Sequence, residues 1–126
     1  MGNFRELNVW KNSKAIAVDI YKLVRENQDL SKDFRLRDQI TSSAVSIPSN
    51  IAEGDELDTH KQAIKHFYIA KGSCAELITQ LEIAKEINFI KYQDANKLIE
   101  RCQQVSSMLL NLIKARSKFI KQKSNN

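Results

Sequence analysis

Two thiols, two imidazoles, a few carboxylates near apolar stripes and a run of cations are the chemistry-bearing groups of this 126-residue chain. Cys74 and Cys102 would make a metal site only with partners at ligand spacing, and the chain has no Cys-x-x-Cys pair. His60 and His66 stand six apart, not the three or four that put two imidazoles on one helix face, and neither has a Glu three residues before it as di-iron bundles require. No glycine-rich phosphate loop and no Ser-His-Asp spacing is present. Glu53, Glu76 and Glu82 lie close to apolar stripes, where a carboxylate fixes helix register or partner geometry more often than it moves a proton. These residues predict no enzyme, no metal and no cofactor. The two cysteines are expected to be reduced core thiols on adjacent antiparallel helices.

The cations read differently. The net charge is +5, from 20 basic and 15 acidic residues. Lys114, Arg116, Lys118, Lys121 and Lys123 all fall in residues 114–126, which contain no acid, so the rest of the chain is balanced. Such an arm suits a phosphate backbone, although cations at a helix C-terminus also oppose its dipole. A second basic stripe, Lys11, Lys14, Lys22 and Arg25, falls on the outer side of the first helical segment, flanked by Asp19 and Glu26. It reads first as a solvated face and second as a phosphate contact.

The elements that must carry these groups are helical. With three Gly and one Pro the chain lacks turn-forming material for a β protein. An apolar fraction of 42% and the absence of an apolar run near 18 residues fit a soluble, cytoplasmic protein with no membrane partner. The first helix is expected over residues 8–27, with Val9, Ile16, Ile20, Leu23 and Val24 inward. Ser31 is the expected cap of a second helix over 32–53, built on Leu36, Ile40, Ala44, Ile47 and Ile51. Pro48 removes one backbone bond there and predicts a bend near residues 44–48. Gly54 is expected just past that helix, opening the polar loop 54–58. Asp58 or Thr59 caps a third helix over 59–87, whose core positions Phe67, Ala70, Cys74, Leu77, Leu81 and Ala84 step by three and four. Ile64, Tyr68, Ala75 and Ile78 widen its apolar surface beyond one contact, and Gly72 there suggests close approach of another backbone. After a turn at 88–91, a fourth helix spans 92–119 on Leu98, Cys102, Val105, Leu109 and Leu112, with 118–126 a frayed basic tail. The sum is an all-α, single-domain chain over 1–126, an antiparallel up-down-up-down four-helix bundle with a Pro-bent second helix.

One stretch is specific beyond its periodicity. Phe4-Arg5-Glu6-Leu7 with Val9-Trp10 resembles the opening of the four helix bundle proteins, also called 23S rRNA intervening-sequence proteins. The resemblance continues through Leu36-Arg37-Asp38-Gln39-Ile40 and Ala44-Val45-Ser46-Ile47-Pro48-Ser49-Asn50-Ile51-Ala52-Glu53-Gly54. It resumes at Ile69-Ala70-Lys71-Gly72-Ser73, Glu76-Leu77 and Thr79-Gln80-Leu81. The chain departs from that pattern at Ile78, where many relatives carry Glu, and at Ser42-Ser43, where Arg is common. The resemblance implies a homo-oligomer, typically a pentamer, and a fold like that of the nucleic-acid-binding accessory variability protein of diversity-generating retroelements. The expected function is therefore a non-enzymatic scaffold that binds structured RNA or DNA through the basic tail. The alternative is a protein-interaction module with a protein partner. Ser46, Pro48, Asn50, Glu53, Gly54, Gly72, Glu76 and Gln80 are expected to serve structure or a subunit interface, with Asn50 and Glu53 hydrogen-bonded in the bundle or across a subunit contact.

Overall fold

The computed structural model describes residues 2–57 and 59–124, with side chains through Ile120. Among them there are five α-helices and no strand: α1 (Asn8–Glu26), α2 (Gln28–Lys32), α3 (Phe34–Glu56), α4 (His60–Glu86) and α5 (Tyr92–Ser124), after a 3₁₀ turn at Phe4–Glu6. The four long helices pack side by side in a closed cycle, α1 on α3, α3 on α4, α4 on α5 and α5 on α1, with no Cα pair within 8 Å across the diagonals. Each therefore buries one stripe toward a shared centre. Phe67, Ile16, Ile20, Ile40, Ile47, Ile51, Leu77, Leu81 and Leu109 are among the fully enclosed side chains there.

The expected second helix begins two residues late, at Phe34, and the stretch before it, expected as a connection over 27–31, forms the short α2. Asn27 Oδ1 accepts from the Leu30 amide at 3.0 Å and starts the short α2, whose Leu30 is fully buried. Asp33 Oδ1 then accepts from the Leu36 amide at 3.0 Å and starts α3. Ser31, expected as the cap, instead donates its hydroxyl to the Val24 carbonyl. Asp33, held in a non-helical conformation (φ −86°, ψ 87°), ends one helix and begins another, which the apolar spacing alone does not register.

Gly54 is corrected as well. It lies buried inside α3, which runs two residues further to Glu56 and ends on an extended Leu57 (φ −77°, ψ 154°). No described glycine has a positive φ. The reason for glycine at 54 is space: a Cβ there would stand 2.9 Å from Phe67 Cε1 and 3.1 Å from the Ala63 carbonyl oxygen. The close approach expected at Gly72 is therefore found at Gly54, whereas a Cβ at Gly72 would meet nothing within 4 Å. Pro48 is buried within α3, which continues on both sides of it.

Thr59 caps α4 by accepting from the Gln62 amide at 3.1 Å; Asp58, the other expected cap, lies outside the described residues. Asn88 takes the left-handed conformation (φ 64°) that reverses the chain between α4 and α5. Its neighbour Phe89 accepts through its carbonyl from Asn27 Nδ2, which ties this turn to the end of α1. The last helix reaches Ser124, five residues beyond the expected end at Phe119.

Candidate functional site

Six of the eight motif residues come together along the seam between α3 and α4. The helices run antiparallel there, so Ser46 meets Ser73 (Oγ to Oγ, 2.9 Å) and Asn50 meets His66 (Oδ1 to Nδ1, 3.1 Å). Asn50 Nδ2 also donates to the Ser46 carbonyl at 2.8 Å and to Ser46 Oγ at 3.0 Å. Ser73, Ser46, Asn50 and His66 thus form one hydrogen-bonded chain that crosses the helix pair twice. Glu53 adds its carboxylate 3.7 Å from His66 Nδ1, outside hydrogen-bond length, with its side chain 61% exposed. The expectation for Asn50 is met inside the bundle; among the described residues Glu53 has only this electrostatic neighbour. Gly54 closes one end of the seam under Phe67.

At its other end the seam opens. Asp38, Gln39, Ser42, Ser43, Glu76 and Gln80 line a groove of about 500 Å³. Gln80 is 9% exposed and its Oε1 has no hydrogen-bond partner among the described residues. A buried, unpaired amide oxygen costs about 1–3 kcal/mol, so it marks a position that a donor can improve. Gly72 and Pro48 belong to other surfaces, Gly72 to the outer face of α4 and Pro48 to the junction of α3 with α1.

The candidate nucleic-acid residues separate into four groups. Arg116 is used internally. Its Nη2 lies 2.9 Å from Oδ1 of Asp55, a carboxylate with only 4% of its side chain exposed, and its guanidinium stands 5.6 Å from the Phe67 ring centre. Asp55 was expected in a loop, and its partner 61 positions later carries no sequence signal. The second oxygen of Asp55 has no partner among the described residues, and the backbone at Gly2 packs against it. Lys114 and Lys118, one turn apart on α5, are exposed and make no ion pair with a described residue. Lys121 and Lys123 have side chains outside the described residues. Lys11, Lys14, Lys22 and Arg25 are exposed along the outer side of α1, with Lys14 Nζ 5.0 Å from the Trp10 ring.

These cations do not converge. Asn12 meets Met108 and Asp19 meets Arg101 (2.7 Å), so α1 and α5 run antiparallel. That register sets Lys22 and Arg25 at the end of the molecule away from Lys114 and Lys118.

Among the described residues no group of three His, Cys, Asp or Glu side chains is close enough to hold an ion. Cys74 and Cys102 are free and buried, as expected for core thiols. Burial pushes the Cys74 thiol up to about 11. Burial and the neighbouring Cys74 push Cys102 up to about 12. Both are therefore poor nucleophiles near neutral pH.

The sequence matches the family model described as 23S rRNA-intervening sequence protein over residues 5–111. No curated protein matches it. Among solved structures it is similar to a protein of unknown function from the S23 ribosomal protein family of Bacteroides thetaiotaomicron. The identity is 26%, over 84% of this chain and 98% of that one, with a TM-score of 0.77. No helix among the described residues is long and apolar enough to cross a membrane.

Proposed function

Since the chain belongs to the 23S rRNA-intervening sequence protein family, we propose that it is a non-enzymatic, homo-oligomeric helical scaffold that binds structured RNA by phosphate contacts. In this reading the cycle of helix contacts is an up-down-up-down bundle, bent in α3 at Pro48, whose monomers assemble as the five-membered ring that the family resemblance implies.

The observation that carries the proposal is the state of Lys114 and Lys118. Both are exposed at one helical-turn spacing, without an ion pair to a described residue. A pair of cations binds one backbone weakly. An oligomer that presents the pair several times gains avidity with no new type of contact. The outer stripe of α1 is the second surface. Arg116 is not part of the site, because Asp55 holds it.

Self-association is supported by apolar surface that the monomer leaves uncovered on α4 and at its C-cap: Tyr68, Ile69, Ile83 and the capping Ile87 are each 43–54% exposed. The test is titration of a labelled, structured RNA with the purified chain and with the variant Lys114→Ala/Lys118→Ala at low salt. Binding by the parent with a loss of at least tenfold in the variant supports the proposal. Equal binding by both overturns the site. A partner recovered equally at low and high salt, with no RNA bound, would instead favour the protein-interaction module.

A further inference from the structure

Two outward-facing stripes remain unpartnered, and they match one another. On α1 the positions Lys11, Lys14, Val18, Tyr21 and Arg25 step by three and four residues and all are exposed, Val18 at 45% and Tyr21 at 48%. On α4 the positions Ile69, Gly72, Glu76, Thr79, Ile83 and Glu86 step the same way and all are exposed. Alternation of three and four is the spacing by which one helix packs along another at a shallow angle. Neither stripe is needed for the monomer's core, so both are surplus heptad seams.

Their charges are opposite. The α1 seam carries Lys11, Lys14 and Arg25, with Lys22 beside it; the α4 seam carries Glu76 and Glu86. The α1 seam borders an apolar groove of about 450 Å³ floored by Ala17, Val45 and Pro48. The α4 seam borders the polar groove in which Gln80 Oε1 lacks a donor. Finally, α1 and α4 stand at opposite corners of the helix cycle, with no Cα pair within 8 Å. The two seams therefore face away from one another, and one molecule cannot pair them.

We infer that the outer seam of α1 in one copy docks on the outer seam of α4 in the next. This rests on the homo-oligomer reading above and assigns its faces. The contact is heterologous, head to tail, the kind that closes into a ring or continues as a filament. With the two helices antiparallel and Val18 opposite Ile83, the 1.5 Å rise per residue brings Lys22 or Arg25 of the incoming helix to Gln80 Oε1 as the missing donor, sets Arg25 against Glu76 and Lys14 against Glu86, and buries Ile83 against Val18 and Tyr21. Docking covers the α1 stripe, so RNA contacts fall to Lys114 and Lys118.

Charge reversal tests this. One variant carries Lys14→Glu, Lys22→Glu and Arg25→Glu; the other carries Glu76→Lys and Glu86→Lys. All five positions are exposed, so both variants keep the fold, which far-ultraviolet circular dichroism verifies. Mass is read by light scattering across a dilution series. The parent is expected to assemble, and each variant alone is expected to need at least tenfold higher concentration to do so. An equimolar mixture is expected to recover association, because each variant's altered seam now complements the other's. Assembly of the variants at the parent's concentration overturns the assigned faces and leaves the oligomer intact. A parent that stays monomeric at all concentrations overturns the oligomer itself. As a second readout, Val18→Cys in one copy and Ile83→Cys in another should cross-link on oxidation, and failure to cross-link in an assembled sample contradicts the docking.

Discussion

Arg116 of α5 and Asp55 of α3 form an ion pair at 2.9 Å across 61 positions, with the carboxylate almost wholly enclosed. The guanidinium also lies over Phe67 of α4, so one side chain joins three helices at the end of the bundle. Removing it leaves an uncompensated charge in a buried site. Arg116→Gln is expected to lower the unfolding free energy by about 3 kcal/mol, measured by urea denaturation. Its RNA affinity, compared under conditions where the variant is folded, should match the parent. An affinity loss equal to that of the Lys114/Lys118 variant would return Arg116 to the binding surface.

The two glycines make opposite predictions. Gly54→Ala drives a methyl group to 2.9 Å from Phe67 and 3.1 Å from a backbone oxygen, and overpacking of this kind costs about 1–3 kcal/mol. Gly72→Ala adds a methyl group in open space on a helix, where alanine is favoured by about 1 kcal/mol. The gain is best measured on the Lys14/Lys22/Arg25 reversal background, in which the chain is unassembled. Destabilisation by both substitutions would contradict the assignment of close approach to Gly54 alone.

Asn50 serves two partners at once, the Ser46 carbonyl and His66. Asn50→Ala strands polar groups on both helices and is expected to cost about 1–2 kcal/mol in thermal or urea unfolding. Ser73→Ala should cost less. The double variant should fall short of the sum, since both act on one hydrogen-bonded chain. Full additivity would show that the seam contains independent contacts.

The core thiols set the alkaline limit. Their folded values, about 11 for Cys74 and about 12 for Cys102, lie above the ordinary 9.0. Below pH 9 both thiols are protonated in the folded and unfolded chain alike, and they add no pH dependence. Above it the unfolded chain releases protons that the folded one retains, so stability falls as pH rises from about 9 toward 11 and 12. The same burial predicts that iodoacetamide at pH 8 modifies neither cysteine until denaturant is added. Stoichiometric labelling of the native protein would contradict their enclosure.

Sequence pattern and structure agree where long periodic stretches decide the outcome. The stepping of Phe67 through Ala84 and of Leu98 through Leu109 specified α4 and α5 because many residues report the same face. The break between α2 and α3 rests on two side chains, Asn27 and Asp33, and no periodicity records a single cap. Gly54 and Gly72 look alike in sequence because what distinguishes them is a neighbour on another helix. Arg116 sits among four lysines, and nothing local shows that its partner is a carboxylate 61 positions earlier. The seam of Ser46, Asn50 and Glu53 was legible as structural, whereas His66 and Ser73 were missed because half of the seam is supplied by α4.

Salt dependence of RNA affinity tests the central claim most directly. Phosphate contacts release counterions, so binding made by lysines weakens along a straight line in log affinity against log salt. For an oligomer presenting Lys114 and Lys118 from each subunit, affinity for a structured RNA is expected to fall by roughly 100-fold between about 50 and 200 mM salt. Lys114→Ala/Lys118→Ala should lower the affinity and flatten that slope together. RNA binding that is undetectable at low salt, or that keeps its strength across the same range, contradicts the scaffold proposed here.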